Sequence, residues 1–194
     1  MKLSQVIVVC VLLTLSMAVF AEESKPFAFK GIPLGVSEAE FKSKFDGYHC
    51  VSWTRVRVRR CEHGRDTYGG HSTERIEATF ISGRLEGVSI TLTPEAEKDA
   101  RVTYKEVIAQ LRERHGGFAS QETERKGGTT NTDTTWFGSN ARLWVTLTVP
   151  YDKAWVKIFN SKCLVYVSIQ SRDFRKKMEA SFASGLAEAT EKDM

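Results

Sequence analysis

The sequence lacks the short motifs that mark the commonest catalytic sites. It contains no Gly-x-Ser-x-Gly, no phosphate-binding loop, no dinucleotide-binding glycine pattern and no His-Glu-x-x-His. It also lacks a strong excess of one charge, because 28 basic and 24 acidic residues leave a net charge of only +4. This weak balance gives no indication of a nucleic-acid partner. We therefore expect no enzymatic activity, no cofactor and no binding of nucleic acid.

Residues 1–21 have the three parts of an export signal. Lys2 supplies the positive charge, residues 6–15 form an apolar run, and Ala21 precedes the predicted cleavage point. The alternative is a retained membrane anchor, but the uncharged stretch is only marginally long enough to span a bilayer. No basic stop-transfer cluster follows it. We therefore expect a periplasmic or secreted mature chain with no stable membrane span.

Cysteine is scarce, with four in the whole chain. Cys10 leaves with the signal peptide, so Cys50, Cys61 and Cys163 remain, and three pairings are possible. An oxidising compartment favours one disulfide, which we predict between Cys50 and Cys61. The Cα atoms of a disulfide lie within about 7 Å, so the chain must then reverse near residues 54–56. Cys163 follows as a buried free thiol in an apolar strand pattern.

Two capping-box patterns predict the starts of two helices. The first runs from Ser37 to Glu40, and the second runs from Thr103 to Glu106, with apolar residues at helical spacing after each. Thr93 and Pro94 offer an alternative, earlier start for the second helix, because proline is favoured at the first helical position. A terminal helix is predicted around residues 174–182. Alternating apolar residues predict strands over residues 27–32, 51–60, 76–80, 88–92, 132–137, 142–149, 154–159 and 163–170.

The two capping boxes predict an internal duplication, because each helix precedes a similar run of strands. We expect an α+β protein of two tandem helix-plus-antiparallel-sheet units, packed as one compact body with a short C-terminal helix. The predicted boundaries are residues 22–93 for the first unit and 94–185 for the second, with a polar tail over 186–194. A chain of this length buries enough surface to fold without a covalent staple.

Several segments resemble a group of small bacterial periplasmic proteins. They are residues 29–37 (Phe-Lys-Gly-Ile-Pro-Leu-Gly-Val-Ser), the cysteine pair, residues 83–88 (Gly-Arg-Leu-Glu-Gly-Val) and residues 164–168 (Leu-Val-Tyr-Val-Ser). At the level of fold the chain is similar to the BamE-like family and to the tandem units of β-lactamase inhibitor proteins. The resemblance implies a helix-then-sheet layout and binding to other proteins. It assigns no functional residue.

A histidine group near the cysteines offers ligand types that zinc favours. His49, His63 and His71 surround Cys50 and Cys61 in the sequence. The cysteine spacing lacks the close pairs of zinc knuckles, and so a disulfide is the favoured interpretation. The alternative is a small metal- or polyanion-handling envelope protein built on these histidines.

The densest basic segment is the arginine cluster at Arg55, Arg57, Arg59 and Arg60. Strand alternation predicts that the first three share an open sheet face, with Trp53 beside them. Arginine and tryptophan are common anchors of protein interfaces. A solvated strand face with acidic neighbours is the competing interpretation.

Aromatic residues are crowded into one predicted sheet region. They are Trp136, Trp144, Tyr151 and Trp155. A hairpin turning at residues 150–153 predicts that Trp144 lies opposite Phe159. That face is core if a helix covers it and a binding surface if it meets solvent. The sequence therefore predicts a non-catalytic protein-binding module of the cell envelope, such as an inhibitor, an immunity factor or an accessory protein.

Overall fold

The computed structural model describes residues 26–53, 57–151 and 162–192, apart from the side chains of Trp53 and of residues 186–192. The described helices are α1 (Glu38–Lys44), α2 (Glu97–His115) and α3 (Phe174–Lys192). The described strands are β1 (Ala28–Phe29), β2 (Ile32–Pro33), β3 (His49–Trp53), β4 (Val58–His63), β5 (Thr67–Tyr68), β6 (His71–Ser72), β7 (Arg75–Ile81), β8 (Arg84–Leu92), β9 (Ser120–Lys126), β10 (Thr129–Phe137), β11 (Ala141–Pro150) and β12 (Leu164–Ser171). The signal-peptide prediction lies outside the described residues.

Eight strands form one antiparallel sheet in the order β3-β4-β7-β8-β12-β11-β10-β9. The predicted fold class, two tandem helix-plus-sheet units, is therefore wrong. The protein is mostly β, with 47% strand and 26% helix, and a single sheet runs through it. Two small ribbons, β1-β2 and β5-β6, lie outside the large sheet.

The junction between β8 and β12 explains why two separate sheets do not form. The two strands pair over six residues, and Val167 lies opposite Ile90 with both side chains completely buried. If they were parted, each strand would leave a row of backbone donors and acceptors without partners inside an apolar core. Pairing satisfies these groups and merges the apolar side chains into one core.

Cys50 and Cys61 lie directly opposite each other on β3 and β4 and form a disulfide, which confirms that prediction. The bond ties edge strand β3 to β4, and Cys61 is completely buried. Cys163 is an unpaired thiol just before β12, but it is only half-buried. Burial raises the pKa of this thiol, with the nearby Glu97 carboxylate adding to the effect.

Helix α1 begins where the first capping box predicts. The Ser37 hydroxyl accepts a hydrogen bond from the Glu40 amide at 3.2 Å. Phe41 on this helix is completely buried and its ring lies 5.5 Å from that of Phe80 on β7. This contact fixes α1 against the sheet face that we call the inner face.

Helix α2 begins six residues before the second capping box, so that predicted start is wrong. Its N-cap is Ala96, which makes no side-chain cap hydrogen bond, and Thr103 is a buried residue inside the helix. Ser37 and Thr103 are therefore not equivalent helix caps, which removes the observation from which the duplication was predicted. Helix α2 lies on the inner face against β11 and β12, and Tyr104 bonds to the Thr134 hydroxyl on β10 at 2.5 Å.

Helix α3 lies on the opposite face of the sheet, which we call the outer face. Phe174 packs against Gly87, and Lys177 Nζ donates to the buried Glu86 carboxylate at 2.7 Å. The predicted terminal helix is therefore present. Helix α3 covers the β7–β8 part of the outer face, and its contacts with Glu86 and Gly87 join the end of the chain to the middle of the sheet.

Candidate functional site

The three histidines of the alternative interpretation do not converge. Register places His49 and His63 on opposite faces of the sheet, because His49 pairs with Glu62, the residue that precedes His63. The His63 ring lies 5.0 Å from that of Tyr48, while His71 Nε2 lies 3.1 Å from a Glu106 carboxylate oxygen.

Among the described residues, the single group with metal-ligand spacing is Glu38 with the two bonded cysteines. A disulfide offers no thiolate, so this group lacks the ligands that zinc favours. The structure therefore gives no support to a metal centre at the histidines or at the cysteine pair.

The arginine cluster is divided between different environments. Arg59 lies on the inner face, 3.4 Å from the Glu38 carboxylate of α1, so it does not lie on an open sheet face. Arg60 points to the outer face and pairs with Glu77 at 3.2 Å. Arg57 is exposed just before β4, and Arg55 lies outside the described residues. Alternation alone predicts one open face here, but α1 lies beside Arg59 on the inner face of β4.

Trp144 lies on the outer face of β11, opposite Thr135 on β10 and Ser168 on β12. Both sides of β11 are therefore paired, and the predicted pairing of Trp144 with Phe159 is wrong. The prediction for Trp155 lies outside the described residues.

An aromatic–arginine patch, consisting of Phe137, Arg142 and Trp144, lies on this outer face. Phe137 on β10 is 62% exposed and lies directly opposite Arg142 on β11. The Arg142 guanidinium lies 5.8 Å from the Phe137 ring centroid and 5.0 Å from that of Trp144. Such distances are typical of cation–π contacts, which hold the three side chains in one arrangement.

Trp136 and Tyr151 do not belong to this patch. Trp136 is buried on the inner face, where its ring N–H donates to the Gly116 carbonyl at 3.2 Å and so holds the end of α2. Tyr151 follows β11 and is exposed, with the Arg125 guanidinium 5.5 Å from its ring centroid. Among the described residues of the predicted aromatic group, Trp144 is the one that lies on the outer face of the sheet.

A groove of about 480 Å³ lies on the inner face between α2 and the β9–β11 part of the sheet. Its floor contains Thr132 and Leu147 from the sheet, and Gln121 from β9 closes the far side. Tyr104 and Ile108 of α2 form the near side, and Phe118 closes one end. The groove exists because α2 covers β11 and β12 while the sheet continues to β10 and β9.

The wall of the groove is positively charged. Arg101, Lys105 and Arg112 all line it, and no carboxylate is among the described residues that do so. These positions are four and seven residues apart, which places them on one side of the helix. Arg101 is paired with Glu97 at 2.7 Å, and Arg112 lies 5.5 Å from the Phe118 ring centroid.

Phe137, Arg142 and the groove were not predicted from the sequence. The signal for the patch was present, because Arg142 and Trp144 alternate with buried Leu143 and so share the face opposite the core. The signal for the groove was the spacing of the cations on α2. Neither pattern states which part of a sheet a helix leaves uncovered.

Comparison with protein-family models, with curated protein sequences and with solved structures gives no match for this chain. None of the described helices has both the length and the apolar character needed to cross a bilayer. The disulfide is consistent with an exported protein. The two uncovered surfaces, the patch and the groove, are therefore the features from which a function is inferred.

Proposed function

We propose that this protein is an exported, non-catalytic protein-binding module of the cell envelope. The observation that carries the proposal is the aromatic–arginine patch on the outer face. Phenylalanine, tryptophan and arginine are enriched in protein interfaces, and tryptophan and arginine dominate their binding energy. In the patch these residue types are already stacked on one another, so a partner would order few side chains on binding.

The strands below the patch favour a preformed contact surface. Strand β11 is hydrogen-bonded to a neighbour on each side, and its inner-face residues Leu143 and Val145 are buried in the core. A rigid base lowers the entropy lost on association, which is a condition for tight binding by a small surface. The half-buried Trp144 would supply apolar contact area, and Arg142 would pair with a carboxylate of the partner.

Export to an oxidising compartment is the second part of the proposal. The Cys50–Cys61 disulfide and the apolar leader of the sequence support it. We place the protein in the bacterial periplasm, where inhibitors, immunity factors and accessory proteins of the envelope act by binding other proteins. Intact-mass measurement of the protein from a periplasmic fraction should give a chain that begins at Glu22.

The test of the patch is capture of a partner from a periplasmic extract of the source bacterium. Wild-type protein, Trp144→Ala, Arg142→Glu and the control Arg114→Glu are immobilised in turn, and captured proteins are identified by mass spectrometry. Arg114 is exposed on α2, away from the patch, and carries the same charge change. Loss of an interface hot spot costs about 2 kcal/mol or more, which is about a thirtyfold loss of affinity.

We therefore expect one partner to be retained by wild type and Arg114→Glu and lost by both patch variants. The melting temperature should be nearly unchanged in Arg142→Glu and Arg114→Glu, whose side chains are exposed, and lower in Trp144→Ala, which loses half-buried apolar area. Capture is therefore measured well below the melting transition of every variant. Equal capture by the patch variants would refute the assignment of this surface.

A further inference from the structure

We propose that the groove between α2 and β9 binds an extended, acidic segment of a partner protein. This inference rests on the proposed protein-binding function, but it concerns a different surface from the aromatic–arginine patch. Its basis is charge complementarity between the cations of the groove wall and the carboxylates of a ligand.

Three cations of α2 lie on the side of the helix that faces the groove. Arg101, Lys105 and Arg112 face the groove, whereas Glu106 faces the other way, toward His71 on the β5-β6 ribbon. Within the described part of the chain, Lys105 and Arg112 have no carboxylate partner. Unpaired cations along one wall attract an anionic ligand and repel a cationic one, which gives the groove its selectivity.

The floor and far side favour a polypeptide over a small anion. Ile108, Leu147 and Phe118 offer apolar contacts. Gln121 Nε2 already donates to the Thr134 hydroxyl at 3.0 Å, so its carbonyl oxygen is the group that can accept from a peptide N–H. The Thr132 hydroxyl bonds to that of Thr123 at 3.2 Å and keeps a further lone pair for a ligand. Ligand sites combine mostly apolar walls with a few placed polar groups in this way. A free phosphate or sulfate ion would leave the apolar part of the groove unused.

The length of the groove sets the length of the ligand. The residues of α2 that line the groove span positions 101 to 112, which is about 16 Å along a helix that rises about 1.5 Å per residue. An extended chain covers that distance with about five residues. Arg125 continues the positive surface beyond the groove, because it shares the inner face of β9 with Gln121 and Thr123.

A labelled peptide of about eight residues, long enough to cover this span, tests the proposal. Glutamate alternates with leucine in the test peptide, and lysine replaces glutamate in the control peptide. Fluorescence anisotropy then measures the binding of each peptide to wild type, Lys105→Glu, Arg112→Glu and Arg114→Glu. Arg114 is the matched control because it lies about 180° around α2 from Lys105. Phosphatidylglycerol vesicles serve as a competing anionic surface.

We expect the acidic peptide to bind wild type and Arg114→Glu, with affinity about tenfold lower in each groove variant. Affinity should also fall as salt is raised, because exposed charges are screened beyond about 8–10 Å near physiological ionic strength. Arg142→Glu should bind the peptide as wild type does, which separates this inference from the proposed role of the patch.

Three results would overturn the inference. The first is equal binding of the acidic and the lysine peptide, which would remove charge as the basis of recognition. The second is unchanged affinity in both groove variants, which would place the peptide elsewhere. The third is vesicle binding that is lost in the groove variants while neither peptide binds, which would assign the groove to lipid headgroups.

Discussion

Removal of the Cys50–Cys61 disulfide should destabilise the protein without abolishing its fold. The bond joins residues eleven positions apart, and closing a loop of this size in the unfolded chain is worth about 3 kcal/mol in the chain-entropy model. Much of the core is independent of the bond, since the β8–β12 junction and helix α2 lie away from β3. For a chain of this length, about 3 kcal/mol corresponds to a fall in melting temperature of about 6–12 °C.

The assay is urea unfolding followed by tryptophan fluorescence, for wild type, for reduced wild type and for the double variant Cys50→Ala/Cys61→Ala. Reduced wild type keeps both sulfur atoms. The difference in the free energy of unfolding between reduced wild type and the double variant therefore measures the cost of the void left at completely buried Cys61. Cys163→Ala is the control, because its thiol is unpaired. Binding at the groove and the patch should persist in the double variant, since both surfaces lie at the β9–β11 end of the sheet.

Two results would refute this reasoning. An unchanged midpoint in reduced wild type would mean that the bond does not constrain the unfolded chain. Loss of a cooperative transition would mean that the sheet cannot close without the bond, contrary to the argument from the core.

Three further substitutions test single contacts, each by urea unfolding. Ser37→Ala removes the cap of α1 and should cost about 1 kcal/mol. Tyr104→Phe removes a buried hydroxyl that bonds to Thr134 and should also cost about 1 kcal/mol. The Lys30 ammonium bonds to Asp66 and holds the pKa of that carboxyl below its usual range. The contribution of this ion pair to the free energy of unfolding is therefore complete above about pH 4 and is lost as the pH falls through the lowered pKa. Asp66→Asn should therefore be less stable than wild type at pH 7, and it should lose less stability than wild type on acidification.

Local sequence signals predicted the features that depend on neighbouring residues. The cap at Ser37 and the disulfide both follow from short spacings combined with simple chemistry. The cap at Thr103 failed because threonine followed by glutamate three residues later also occurs inside a helix. There the Thr103 side chain is buried and caps nothing, and the helix continues back to Glu97.

The single sheet could not be predicted from such signals. It requires Val165 to pair with Leu92, residues that are far apart in sequence. Alternation tells which side chains share a face but not which strand lies next to which. For the same reason the outward direction of Trp144 is predictable from its buried neighbours, whereas its partners Thr135 and Ser168 are not.

The charge on edge strand β9 bears on where a ligand segment would lie. Its residues Glu122, Glu124, Arg125 and Lys126 are all exposed. Charged edge strands disfavour the addition of a further strand. Glu122 and Glu124 would also repel an acidic segment that approached along the edge. The favourable position for such a segment is therefore the inner face above β9 and β10, where the α2 cations face it and those two carboxylates point to the opposite side of the sheet.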